Sequence, residues 1–235
     1  MLPKRSLIAV TTIAVLVGSS AAGCGISHPH HHNAKSKSQT TSPSGVSFPT
    51  QAHLSAGKLL IMAPADLKAK STLRSSSRSG TYNVTVLTDS GAQMSFGGQY
   101  YASSRRARQT LINDLIVSPG PGTRDPLGSG VIARKYHQQH LITWTHDHWI
   151  IEISGASGTP FSLLQKPAST IATLLNEVSL PATSQGLLHW TITRKTVTSI
   201  DLAWTKGAAI YHVIQPQPKN ARAAMQMAAS MVPIP

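Results

Sequence analysis

Apolar and polar residues alternate in three stretches of the chain, and a turn signal divides each stretch in two. Tyr82-Asn83-Val84-Thr85-Val86-Leu87 leads through Asp89-Ser90-Gly91 to Gln93-Met94-Ser95-Phe96. Leu141-Ile142-Thr143-Trp144-Thr145 leads through His146-Asp147-His148 to Trp149–Ile153. Ile200–Thr205 leads through Lys206-Gly207-Ala208 to Ala209–Ile214. A period of two, rich in β-branched and aromatic residues on either side of turn formers, predicts three β-hairpins.

A helical spacing follows each hairpin. Ser104–Val117 carries Ala107, Leu111, Leu115 and Ile116 on one side, with Ser103 and Ser104 in capping position. Pro167–Val178 carries Ile171, Leu174, Leu175 and Val178, and proline suits the first turn of a helix. Asn220–Met231 carries Ala224, Met227, Ala228 and Met231, capped by Asn220 and stopped by Pro233. Placing Trp144 on Trp204 aligns Thr145 with Thr205, Ile150 with Ile210 and Ile153 with Val213. That period of about 57–60 residues fits a duplicated or triplicated β-β-α unit. Plain alternation of strands and helices accounts for the same residues without duplication.

Lys58–Met62, Gly130–His137 and Leu187–Thr193 read as further strands. The expected fold is α+β: a curved antiparallel sheet of hairpins with helices packed on one face. Ser118–Pro126 reads as a long Pro/Gly loop. It separates an N-terminal part, residues 46–120, from a C-terminal part, residues 127–235.

The N-terminus carries a different pattern. Lys4 and Arg5 precede the uncharged run Leu7–Val17, and Gly18–Gly23 are all small. This is the layout of a secretory signal peptide over residues 1–23. Eleven residues of helix reach only ~17 Å, too short for the ~30 Å of a bilayer's hydrocarbon. Ala21-Ala22-Gly23-Cys24 resembles the lipobox of bacterial lipoproteins. The resemblance implies cleavage before Cys24, diacylglycerol on its sulfur, and anchoring at the extracytoplasmic face of the cell membrane. An ordinary secretory cut nearby would export the chain unanchored. Cys24 is the only cysteine, so no disulfide can staple the exported domain.

Residues 24–45 are polar, rich in Ser, Thr, His and Pro, and lack apolar periodicity, as a disordered tether does. His28, His30, His31 and His32 crowd its start. Neutral imidazoles at that density bind Zn²⁺, Cu²⁺ or Ni²⁺ weakly, and equally suit a solubilising spacer.

Charge narrows the partners. The chain has 21 Lys and Arg against 8 Asp and Glu. Losing the leader removes only Lys4 and Arg5, so strong positive charge persists. Anionic lipid headgroups and wall polymers attract such a protein. Nucleic acid is not expected, because no aromatic residues interleave with Lys68/Lys70/Arg74/Arg78 or Arg105/Arg106/Arg108.

Trp144, Trp149, Gly155, a helix, Pro181, Trp204 and Gly207 together resemble the C-terminal regions of uncharacterised secreted and lipid-anchored proteins of Gram-positive bacteria. The likeness covers roughly Val131–Val232. It implies a non-enzymatic envelope role and supplies no catalytic residues.

Candidate chemistry is sparse. His137, His140, His146 and His148, with Asp147, form a Zn²⁺ set if the strands bring them together; Asp147 is equally an ordinary turn residue. No Gly-x-Ser-x-Gly elbow occurs, and Gly128-Ser129-Gly130 lacks its spacing. The carboxylates are dispersed, and no glycine-rich run precedes Lys-Ser/Thr as in a phosphate loop. Trp144, Trp149, Trp190, Trp204, Tyr100, Tyr101, Tyr136 and Tyr211 can line a groove or fill a core; core is expected for Trp144 and Trp204. The sequence therefore reads as a non-enzymatic, lipid-anchored envelope protein without cofactor, binding a protein or an anionic envelope polymer. The alternatives are a metal-binding lipoprotein using the histidine-rich tether, and an extracytoplasmic hydrolase whose site assembles only in three dimensions.

Overall fold

A computed structural model describes residues 59–65, 72–78, 80–87, 93–115, 121–192, 197–218 and 221–234. Residues 1–23, read as a signal peptide, and Cys24, His28, His30, His31, His32 and Asn220 lie outside the described residues.

Ten strands form one sheet. In chain order they are β2 (Thr72–Arg78), β3 (Thr81–Leu87), β4 (Gln93–Tyr100), β5 (Thr123–Gly128), β6 (Val131–Tyr136), β7 (Leu141–His146), β8 (Trp149–Gly155), β9 (Gly186–Ile192), β10 (Val197–Lys206) and β11 (Ala209–Pro216). Across the sheet the order is β2-β3-β4-β11-β10-β9-β8-β7-β6-β5. Neighbours run antiparallel except β8 and β9, which are parallel. A parallel neighbour needs a crossover, and helix α2 (Phe161–Leu174) provides it. Short strands β1 (Met62–Pro64) and β12 (Met231–Pro233) pair separately. Helices α1 (Ser104–Asn113) and α3 (Arg222–Ala229) complete the fold.

Alternation divides the sheet into two faces. The first is apolar and holds the main core. One rung runs Tyr82, Gly98, Tyr211, Trp204, Gly186, Trp149 across six strands. The rings of Trp149 and Trp204 lie 6.3 Å apart, and those of Trp204 and Tyr211 6.0 Å. Gly186 makes the first contact possible, because a Cβ there would sit 2.3 Å from the Trp149 ring. The Tyr82 hydroxyl donates to Met62 O and accepts from Met62 N–H, tying β1 to this rung. Helices α2 and α3 cover the same face through Leu164, Ala168, Ile171, Ala224 and Met225, all buried. Burying aliphatic and aromatic side chains at ~25 cal/mol per Å² is the main stabilising term.

The α+β class read from the sequence holds, with α2 and α3 on one face. Helix α1 adds a layer on the other face, where Ala107 and Leu111 pack on Leu187, Ala203 and Ile210. Its Ser103 caps it by accepting a hydrogen bond from Arg106 N–H. The hairpins β7–β8 and β10–β11 superpose in register: Trp144 faces Ile151 as Trp204 faces Tyr211. Asp147 (φ 50°) turns the first as Gly207 (φ 60°) turns the second.

Several boundaries differ from the sequence reading. Thr123–Pro126, expected in a loop, belongs to edge strand β5; an edge tolerates Pro126, and a register shift follows it. Helix α2 starts at Phe161, so Pro167 lies inside it. The apolar stripe of Leu164, Ala168 and Ile171 decides this. The carbonyl of Leu163, which Pro167 cannot serve, lies on the solvent side of the helix, where water can. The polar strand β2 and the short β12 carry no alternation signal.

Candidate functional site

The second face of the sheet is polar at its centre. Glu152, His189 and Asp201 face one another in a single rung across β8, β9 and β10. Ser154, Thr191 and Ser199 form the next rung. Their elements place them there by strict alternation with the core residues Ile151, Ile153, Leu188, Trp190, Ile200 and Leu202. Central strands bury what an edge would expose: Glu152 is only 3% exposed and Ser154 6%.

Burial sets the charge states. It pushes the His189 imidazole down to about 4 and the Asp201 carboxyl up to about 6. Ser154 Oγ lies 2.7 Å from His189 Nε2, with Thr191 Oγ1 at 3.4 Å. The Ser199 hydroxyl donates to Asp201 Oδ2 at 3.4 Å, while the buried Oδ1 finds no partner among the described residues. On the same face His212 Nε2 stands 3.4 Å from Asn83 Oδ1, reaching across β4 over Gly97. A Cβ at Gly97 would fall 2.8 Å from that imidazole. Burial pushes His212 down to about 4 as well.

A serine 2.7 Å from an imidazole has the spacing of a nucleophile and its base. The surroundings differ from a hydrolytic site. Strand β8 is paired on both sides, so the N–H groups near Ser154 belong to ladders and cannot converge on an oxyanion. Asp201 makes no ion pair with His189 among the described residues. The rung sets a neutral imidazole beside a carboxyl that burial makes harder to ionise, in a fixed pattern.

The outer surface is cationic. Of the eight acidic residues, Asp125 pairs with Lys135 at 2.8 Å and Glu177 pairs with Arg222. Glu152 and Asp201 belong to the inner rung. Asp66 and Asp89 lie outside the described residues. That leaves Asp114 and Asp147 as exposed carboxylates. Against them stand Arg105, Arg106 and Arg108 on α1, all exposed, and Arg124 and Arg134 on β5 and β6, also exposed. Among the described residues none of these five arginines makes an ion pair.

The structure separates the expected histidine set. His137 and His140 occupy the turn before β7, while His146 ends that strand and Asp147 and His148 form the turn after it. Six residues of strand hold the two turns ~17 Å apart. Among the described residues no three His, Cys, Asp or Glu side chains group as a metal requires. His137 and His140 instead pack beside Phe161, the first with ring centroids 4.6 Å apart. The His140 ring also clasps a loop: Gly158 N–H donates to Nε2, and Nδ1 lies 3.0 Å from Thr159 O. All four tryptophans are buried, Trp144 and Trp204 in the core as expected. No described helix is long and apolar enough to cross a membrane.

Comparisons with protein-family models, with curated proteins and with solved structures return no match.

Proposed function

We propose that this is an exported bacterial envelope protein, held by lipid at Cys24, that acts by binding an anionic envelope polymer. The observation that carries the reading is the one-sided surface charge. Arg105, Arg106 and Arg108 crowd the first turns of α1, where the helix dipole disfavours cations by ~0.3–1 kcal/mol each. Among the described residues Asp125 and Glu177 are paired elsewhere, Glu152 and Asp201 lie in the sheet, and only Asp114 and Asp147 are exposed against them. An anionic partner relieves that repulsion.

The anchor rests on Lys4-Arg5, Leu7–Val17 and Ala21–Cys24. Binding is preferred to catalysis because Ser154 and His189 sit within a fully paired sheet, away from any free backbone donor. The test has two parts. Intact-mass spectrometry of protein from a bacterial host should show a diacylglyceryl adduct that Cys24→Ala abolishes. Titration calorimetry with a soluble phosphodiester polymer should show binding that weakens with salt, since surface pairs are screened within ~10 Å at 0.1 M. Replacing Arg105, Arg106 and Arg108 by Gln should weaken it further. Turnover of a wall or peptide substrate, or binding indifferent to salt and to that triple change, refutes the proposal.

A further inference from the structure

We infer that the β5–β6 hairpin is a membrane-surface contact that lays the domain against an anionic lipid bilayer. On the outer side of this hairpin Arg124 and Arg134 are direct cross-strand partners, and both are exposed. Like charges directly opposite destabilise an isolated sheet. The next rung on the same side pairs Pro126 with Ile132. Ile132, 54% exposed, is the most exposed large hydrophobic side chain among the described residues. Two arginines beside two apolar side chains match the layering of a bilayer surface, with phosphates outside and acyl chains beneath.

The inner side of the hairpin sharpens the contrast. Asp125, the hairpin's acidic residue, alternates inward, where it is nearly buried and paired with Lys135 at 2.8 Å. Ala133 and Leu127 also point inward, into the core that α2 covers. The hairpin thus turns its carboxylate away from the very side that shows its arginines and Ile132. Its place at the end of the sheet leaves that side open to a broad flat surface. Thirty-four residues separate Cys24 from Leu59. A chain of that length spans up to ~115 Å, so an anchor at Cys24 permits the contact without dictating it. The inference rests on the proposed envelope location. It concerns a surface separate from the arginines of α1, which pack over β10 and β11.

The contact is tested on the full mature chain carrying Cys24→Ala, so that no lipid anchor contributes. Vesicles of phosphatidylcholine alone are compared with vesicles containing about 30% phosphatidylglycerol in a flotation assay. Binding is expected to the anionic vesicles and not to the neutral ones. R124Q/R134Q should lower partitioning about thirtyfold, roughly fivefold per arginine, and Ile132→Ser severalfold. R105Q/R106Q/R108Q should leave it within about twofold. A fluorophore on Ile132→Cys should shift to the blue on anionic vesicles, while one on Lys206→Cys should not. Equal binding to both vesicles, unchanged binding by R124Q/R134Q, or no shift at position 132 overturns the inference. Loss of polymer binding with vesicle binding intact would instead strike the proposed function alone.

Discussion

Replacing Asp201 by Asn tests the buried polar rung through pH. A carboxyl moved from its ordinary 3.8 to about 6 by burial opposes folding once ionised. At 1.36 kcal/mol for each pKa unit, the cost at pH 7 is about 3 kcal/mol. Its raised pKa means the stability it contributes is full below pH 3.8 and lost as pH rises through about 6. His189 and His212 act in the opposite sense. Both fall from 6.5 to about 4, so the stability they contribute is present above pH 6.5 and lost as pH falls through about 4. Between those limits the unfolded chain carries two imidazole protons that the folded chain lacks, and the folded chain carries one carboxyl proton that the unfolded chain lacks. These three groups then give the wild type a stability that rises about 1.4 kcal/mol per pH unit, and D201N one that rises about 2.7. At pH 7 the variant should gain about 1–2 kcal/mol, because the new amide N–H group costs part of what the lost charge returns. Near pH 4 the charge gain is almost gone and the amide cost should leave the variant about 1 kcal/mol less stable than the wild type. Urea unfolding at half-unit steps from pH 4.5 to 7.5 reads both slopes. Parallel profiles for the two proteins, or a D201N less stable at pH 7, would refute the reasoning.

Three further changes probe the frame around the rung. Gly186→Ala drives a methyl into the Trp149 ring, which is also fixed by donation from Nε1 to Pro181 O; a loss of about 1–3 kcal/mol and altered tryptophan emission are expected. Asp147→Gly relieves a left-handed backbone already filled by glycine in the equivalent hairpin, and thermal unfolding should show a gain below about 1 kcal/mol. His140→Ala removes the clasp on Gly158 and Thr159; about 1–2 kcal/mol should be lost, and the Gly158 amide should exchange faster with solvent.

The three hairpins and the burial of Trp144 and Trp204 were legible because alternation and turn residues act locally. Strand order was not. Nothing in Trp149–Gly155 or Gly186–Ile192 says that the two lie side by side in parallel, since α2 and its loops intervene. For that reason the rung was missed: Glu152, His189 and Asp201 each look like an outward, solvated strand residue, and only their central position buries them. The histidines failed as a group for the converse reason. They are near in sequence, but an extended strand carries them to opposite ends. Pro126 masked β5 because proline argues against a strand everywhere except at an edge. Cys24 and the tether histidines stand on sequence alone.

The seam between β4 and β11 bears on the order in which the molecule takes shape. Gly98 faces Tyr211 across it, 113 residues later in the chain. Closing so long a loop is entropically slow, and β4 has no other neighbour on that side. The small β1–β12 pair repeats the arrangement, joining Met62 to Pro233. The first strands synthesised are therefore the last to be enclosed. For a chain threaded through a membrane from its N-terminus, the sheet stays incomplete until nearly the whole length has crossed, and passage and folding need not compete.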